Sequence, residues 1–347
     1  MGMLLSCLAA RARAQEDLAK SLGEGFAVYR SEHFSLVSNA LPTAGRAQLA
    51  VLEDTWETFF RETARIGLEP KKPEQRLACV LFEKRSQFLD YLKSIGETEA
   101  DWTAGTFLAQ RGQTVFFNDS DNPAFAETLQ ELARLDAELA EARAQFEKTP
   151  RTEVARLIPL QEKIKRLANQ RAELHRRFVA VASASTLGKS RHETAHQLFF
   201  TSGLQTPSRQ YPWFLTEGLA CLFETADKTG QSGPGLPNEW RLMSYRRAEQ
   251  ANGLMAVKDL LSYTPGDQED ERTVAWRYAQ AWVLMHYLWN GRATDLRLLL
   301  ADVNGDADPK AWPAIFEKRL GSDLAELDRR VREHVEGMAS TDEPRGR

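Results

Sequence analysis

The sequence predicts an α+β protein: a small N-terminal mixed β-sheet with helices, a long inserted antiparallel helical hairpin, and a mostly helical C-terminal part. Three patterns carry this. Between Phe26 and Asn118 the apolar spacing switches repeatedly between that of strands and that of helices. Between Phe125 and Phe178 apolar residues recur at heptad-like intervals on both sides of Pro150. From Ser183 onward the spacing is helical almost throughout.

Taken in order, Phe26 to Tyr29 and Phe34 to Ser38 are rich in aromatic and β-branched residues and read as a hairpin or meander. Leu49, Leu52, Trp56, Phe59 and Ile66 form the apolar stripe of a first long helix that stops at Gly67. Leu77 to Phe82 is a continuous apolar run suited to a central strand, and Phe88, Leu92 and Ile95 mark a helix ended by Gly96. Thr106 to Leu108 and Thr114 to Phe117 flank a turn at Arg111-Gly112. This ββαβαββ order suggests a mixed sheet with helices on one face.

The hairpin follows. Leu129, Leu132, Leu135, Leu139 and Phe146 form one arm, and Val154, Leu157, Leu160, Ile164, Leu167, Leu174 and Phe178 the other, with Lys148-Thr149-Pro150-Arg151 at the tip. Each arm should reach roughly 35 Å. Helices are then expected over Asp259 to Ser262, Trp276 to Trp289, Asp295 to Ala301, Pro309 to Leu320 and Leu324 to Val335, with Asp308 and Ser322 as N-caps and Gln231 to Asn238 as a loop. The expected organisation is a leader over 1–14, an α+β subdomain over 25–123, the hairpin over 124–182, active-site and C-terminal helices over 183–337, and a flexible tail over 338–347.

The chain has 347 residues, and 45 Lys and Arg against 49 Asp and Glu leave a net charge of −4. That balance offers no global basic field for nucleic acid. No stretch reaches the ~18 apolar residues needed to span a bilayer. Met3 to Ala10 is a short apolar run, and Ala12-Arg13-Ala14 before Gln15 has the small-x-small form of a signal-peptidase site. A secreted or periplasmic protein is the expectation, and a cytoplasmic one if the N-terminus is no signal. Cys79 and Cys221, far apart in sequence, read as buried small hydrophobes rather than a disulfide.

The chemistry concentrates at His192-Glu193-Thr194-Ala195-His196. Two histidines four apart on a helix share a face, with Cβ atoms about 5–6 Å apart, close enough for both imidazoles to reach one zinc ion. Glu193 then lies beside the metal, where a carboxylate can take a proton from water and pass it to a leaving group. Zinc lowers the pKa of bound water from about 15.7 to about 7. A catalytic zinc needs a third protein ligand, and Glu217 is the conspicuous carboxylate of the apolar helix Pro212 to Glu224; the other reading of Glu217 is a surface glutamate.

His-Glu-Thr-Ala-His followed by Pro-Trp-Phe-Leu-Thr-Glu-Gly-Leu-Ala-Cys-Leu-Phe-Glu resembles the gluzincin metallopeptidases, most closely the peptidase-MA-like branch, which includes a bacterial domain family of unknown function. The resemblance extends to Ser31 to Phe34, Val80 to Phe82, Tyr278 to Trp282 and Gly321 to Leu327. It implies a zincin-like fold and one zinc ion held by His192, His196 and Glu217, with Glu193 as general base. Gluzincins carry an acidic residue four positions after the ligand glutamate, where this chain has Cys221. Support for a zinc histidine must therefore come from elsewhere. Glu224, seven after Glu217, shares its helix face and is placed to supply it, unless it is solvated or pairs helices.

Hydrolysis of a peptide also needs a donor for the developing oxyanion. Tyr278, Trp282 and His286 share one helix face; the family's recurrent tyrosine makes Tyr278 the first choice, with His286 second, and Trp282 is core. His33, His175 and His334 are read as structural. Phe199 and Phe200 either border a specificity pocket or pack. The resulting expectation is a zinc peptidase acting on a peptide or protein, with substrate added as a strand along a sheet edge at Thr114 to Asn118. The alternative is a non-catalytic exported scaffold that binds a protein partner through the hairpin.

Overall fold

Leu77–Phe82 has no charged side chain and only the Cys79 thiol as a weakly polar one, and such a strand must be covered on both faces. The computed structural model describes residues 15–97, 105–119, 122–226, 233–266, 269–305 and 308–339, and this segment is β3, the central strand of a five-stranded sheet. With β1 (Ala27–Arg30), β2 (Phe34–Ser38), β4 (Gly105–Leu108) and β5 (Gln113–Phe117), the order is β1-β2-β3-β5-β4. The inner strands β2, β3 and β5 are parallel, with Leu36 opposite Cys79 and Cys79 opposite Thr114; β1 and β4 are antiparallel at the edges.

Alternate residues serve two cores. Leu36, Cys79, Leu81 and Phe116 join the main core with α2 (Pro42–Arg65). Val37, Val80, Val115 and Phe117 face Phe88 and Leu92 of α3 (Arg85–Ser94) and Ala19 of α1 (residues 15–22). Helices thus cover both faces, not one. The β4–β5 hairpin turns at Gly112, whose φ of +58° a residue with a Cβ adopts only under strain. Because that hairpin folds outward, β5 is bonded on both sides. Thr114 to Asn118 is therefore not an edge, and the outer edge is β4, which pairs only with β5 among the described residues.

The helical hairpin consists of α4 (Ala126–Lys148) and α5 (Val154–Thr201). Leu135, Leu139, Ala142 and Leu167 are buried between its arms, and Arg171 bonds Asp136 across them. The expected division after residue 182 falls inside α5. Its 48 residues form one rod of about 70 Å that carries both the second arm and the His-Glu-Thr-Ala-His segment. The small polar residues just past that division have their hydroxyls satisfied: Ser185 donates to Asp119, Thr186 to the Ala182 carbonyl and Ser190 to the Thr186 carbonyl.

Beyond α5 come α6 (Trp213–Cys221), α7 (Glu239–Gln250), α8 (Val257–Leu260), α9 (Glu271–Gly291), α10 (Ala293–Gly305), α11 (Trp312–Leu320) and α12 (Leu324–Ala339). The spacing had not marked α7. In α9, Ala279 and Ala281 to Met285 are all buried, so the middle of this helix is core on every side. It holds α6 closely: a Cβ on Gly218 would stand 2.5 Å from Met285 Cγ and 2.6 Å from the Ala281 carbonyl oxygen. Asp308 caps a short 3₁₀ turn as expected, whereas α12 is capped by Asp323 rather than Ser322. α12 runs to Ala339, past the expected start of the tail; the rest of the tail and the leader over 1–14 lie outside the described residues. Cys79 and Cys221 are free and buried. Among the described residues no helix is long and apolar enough to cross a membrane.

Candidate metal centre

The buried stretch of α5 puts His192 and His196 on one face with their Nε2 atoms 3.1 Å apart. Glu217 on α6 brings Oε2 to 3.1 Å from His192 Nε2 and 3.4 Å from His196 Nε2. Four ligands arranged tetrahedrally at about 2.0–2.1 Å from a zinc ion stand about 3.3 Å from one another, so the three donors match the ligand spacing of one such ion. The chemistry agrees. Two imidazole nitrogens and a carboxylate oxygen converge on one point, and a cation satisfies all three lone pairs at once. Glu217 is held well below the usual carboxylate range: burial opposes its charge, but His196 and His192 overcome that.

Glu224 stands behind His192. Its Oε1 lies 2.9 Å from His192 Nδ1, so it accepts the proton on the nitrogen facing away from the convergence point. That bond leaves Nε2 free to act as a ligand. Asn238 Nδ2 donates to Glu224 Oε2 at 2.7 Å, and Arg241 donates from Nε at 2.9 Å and from Nη2 at 2.5 Å. Burial opposes the Glu224 charge, and Arg241 and His192 nevertheless hold the carboxyl well below its usual range. His192, Cys221 and Glu224 form a second cluster of potential ligands. The Arg241 guanidinium already neutralises it, so it serves as support for the first.

Glu193 is buried beside the edge strand. A Cβ on Gly105 of β4 would lie 3.0 Å from its Cγ, so the glycine makes room for this side chain. Four residues earlier on α5, Lys189 bonds the buried Asp119 at 2.6 Å and lies 3.8 Å from the Phe117 ring centroid. Gln197 ties α5 to the sheet through the Ala78 and Gly112 carbonyls, at 3.0 Å each.

Tyr278 on α9 faces the centre, its ring centroid 6.1 Å from that of His192. Trp213 meets it edge to face at 4.9 Å, and the Arg241 guanidinium lies 5.0 Å from its centroid. Burial, then the charges of Glu217, Cys221 and Glu193, push the phenol well above its ordinary value, so it is a proton-bearing donor. His286 is placed elsewhere. Its Nδ1 meets His334 Nε2 of α12 at 2.8 Å and its ring packs on Trp282, because a face that starts at the centre has entered the core two turns later. His334 is therefore not isolated. His33 is held by Glu53 at 2.6 Å and stacks on Trp56, and His175 is exposed on α5. Phe199 is core against Phe59 and Phe223, whereas Phe200 is half-buried beside Phe107 of β4.

Arg241 and Asn238 were missed by the sequence reading. The one local signal was Asn238 itself, whose side chain caps α7 by accepting from the Arg241 amide. Residues 184–305 match a protein family described as a protein of unknown function, DUF1570. The matched stretch contains His192, Glu193, His196, Glu217, Glu224, Arg241 and Tyr278, and stops short of the sheet and the hairpin tip. No curated protein matches the chain.

Proposed function

We propose that this protein is a zinc-dependent hydrolase of peptide bonds, of the gluzincin kind its motif resembles. The observation that carries the reading is the convergence of His192, His196 and Glu217 at 3.1 to 3.4 Å, with Glu193 alongside and Glu224 behind. Zinc bound there would supply a water acidic enough to ionise near neutral pH and would polarise a carbonyl.

The chain's own residues supply the rest. Glu193 accepts the proton of the attacking water and delivers it to the departing amine. Tyr278 donates its phenolic proton in a hydrogen bond to the carbonyl oxygen as negative charge develops there. Glu224 keeps His192 in one tautomer and orientation. An extended substrate adds as a strand along the outer edge of β4, the edge beside Glu193, in place of the β5 strand first expected. The export suggested by the N-terminal pattern fits a peptidase acting outside the cytoplasm.

The test is zinc content after dialysis against a weak chelator, followed by peptide-library digestion. One zinc per chain, lost in Glu217→Ala, together with cleavage lost in Glu193→Gln, supports the reading. Well-folded protein that keeps no zinc overturns it. One observation favours a second reading, a binding module that presents the hairpin: Val154 and Ile158 are exposed near its tip. A partner that binds the hairpin unchanged in Glu193→Gln, with no peptide ever cut, would favour that reading.

A further inference from the structure

Arg241 touches both halves of the site. Its guanidinium edge grips Glu224 through Nε and Nη2, and Glu224 in turn holds His192 Nδ1 at 2.9 Å. Its Cζ lies over the Tyr278 ring, 5.0 Å from the centroid. A planar, always-charged fork is the one side chain that can do both, bonding a carboxylate along its edge and stacking on an aromatic ring with its face. Its own position is set locally. Asn238 caps α7 on the Arg241 amide and also donates to Glu224 Oε2, so the start of α7 reaches one carboxylate oxygen through Asn238 and both through Arg241. The Arg241 side chain is only 22% exposed, and its ion pair with Glu224 is shielded from solvent.

We infer that Arg241 is a positioning residue of the metal centre: through Glu224 it fixes the imidazole of His192, and through its face it fixes the ring of Tyr278, registering metal ligand and oxyanion donor against one another. This rests on the metal-centre reading and deepens it, because it assigns the site a residue from a helix that carries no ligand. It also explains why the family-type acid four residues after Glu217 is dispensable here. Cys221 occupies that place with Sγ 3.8 Å from His192 Nδ1, and Glu224, held from behind by Arg241 and Asn238, takes over the support.

The experiment loads the full chain with cobalt(II), whose visible absorption reports ligand geometry, and compares wild type with Arg241→Lys, Arg241→Met and the double variant Arg241→Met/Glu224→Gln. Arg241→Lys keeps a positive charge but loses the two-point bond and the stacking face. It should bind cobalt 10- to 100-fold more weakly, with altered band intensities. Arg241→Met should weaken binding at least as much, and free guanidinium ion should restore part of the loss, which a purely structural defect would not allow. The double variant removes both buried charges and shows whether any loss of fold in Arg241→Met comes from an unpaired Glu224. Folded Arg241→Lys and Arg241→Met chains with wild-type cobalt affinity and spectrum would overturn the assignment alone. A wild-type chain that takes up no cobalt would overturn the metal centre and this assignment together.

Discussion

Glu224 Oε1 lies 2.9 Å from His192 Nδ1, on the side of the ring opposite the convergence of Nε2 atoms. A ligand imidazole that donates its second N–H to a carboxylate is fixed in tautomer and orientation and is a stronger base toward the metal. Glu224→Ala removes that partner and leaves Arg241 without its counter-ion. Zinc affinity, measured by competition with a chromophoric chelator, should fall 10- to 100-fold. Glu217→Ala should fall further, because it removes a ligand outright; equal losses in the two variants would mean that Glu217 is not a ligand.

On the proposed reading, Glu193 and Tyr278 separate metal binding from chemistry. Neither belongs to the converging donor set, so Glu193→Gln and Tyr278→Phe should keep wild-type zinc content. Cleavage of any peptide found in a library screen should drop by at least about 10²-fold in the first and about 10² to 10³-fold in the second. Gly105→Ala should act on the same carboxylate from the strand side, since its new methyl would stand 3.0 Å from Glu193 Cγ. A Gly105→Ala chain that cleaves such a peptide as well as wild type would show that Glu193 can give way without cost.

What was readable in sequence is what a short period encodes. His192 and His196 declare themselves because four residues on a helix is a contact distance, and Glu217 because a lone carboxylate in an apolar helix needs a cation. Leu77–Phe82 declares a buried strand for the same kind of reason. The rest depends on contacts between distant segments. His286 and His334 are 48 residues apart, and nothing local pairs them. Arg241 sits on a helix whose apolar spacing is irregular, among other arginines that face water, and only the fold turns it toward Glu224. The continuity of α5 across the expected division after residue 182 was hidden because the heptad-like spacing of the hairpin ends at Phe178, and the bonds of Ser185, Thr186 and Ser190 to Asp119 and to the helix's own carbonyls are set by the fold.

The buried pair Lys189–Asp119 secures the part of α5 just before His192 and His196. Asp119 is fully buried and Lys189 nearly so, and Ser185 donates to the second oxygen of Asp119. Burial lowers the Lys189 pKa, and Asp119 opposes that shift. Asp119→Ala takes the ion-pair partner from this buried cation, leaving it the Phe117 carbonyl and ring and the charge of Glu193, and should destabilise the chain by about 3–5 kcal/mol. Asp119→Ala/Lys189→Met, which removes both charges, should recover most of that loss in urea unfolding. If the double variant is as unstable as the single one, the pair contributes through packing and not through charge.

The His286–His334 pair gives the fold a pH dependence whose sign is set by burial. Burial, then the neighbouring His334, lowers the His286 pKa from its ordinary 6.5 to about 4, and burial also lowers that of His334. In the unfolded chain both rings take up a proton near pH 6.5. Below that pH the unfolded state binds more protons than the folded state, so stability is fully present above pH 6.5 and declines as pH falls, levelling off near pH 4 for His286. Between pH 7.5 and 5.5 the His286 contribution is on the order of 1 kcal/mol. His286→Gln keeps a polar partner for His334 but cannot titrate, so its stability should fall by about that much less than wild type over the same interval. Urea midpoints at the two pH values measure the difference. Equal losses in variant and wild type would show that the pair does not stay neutral in the folded protein.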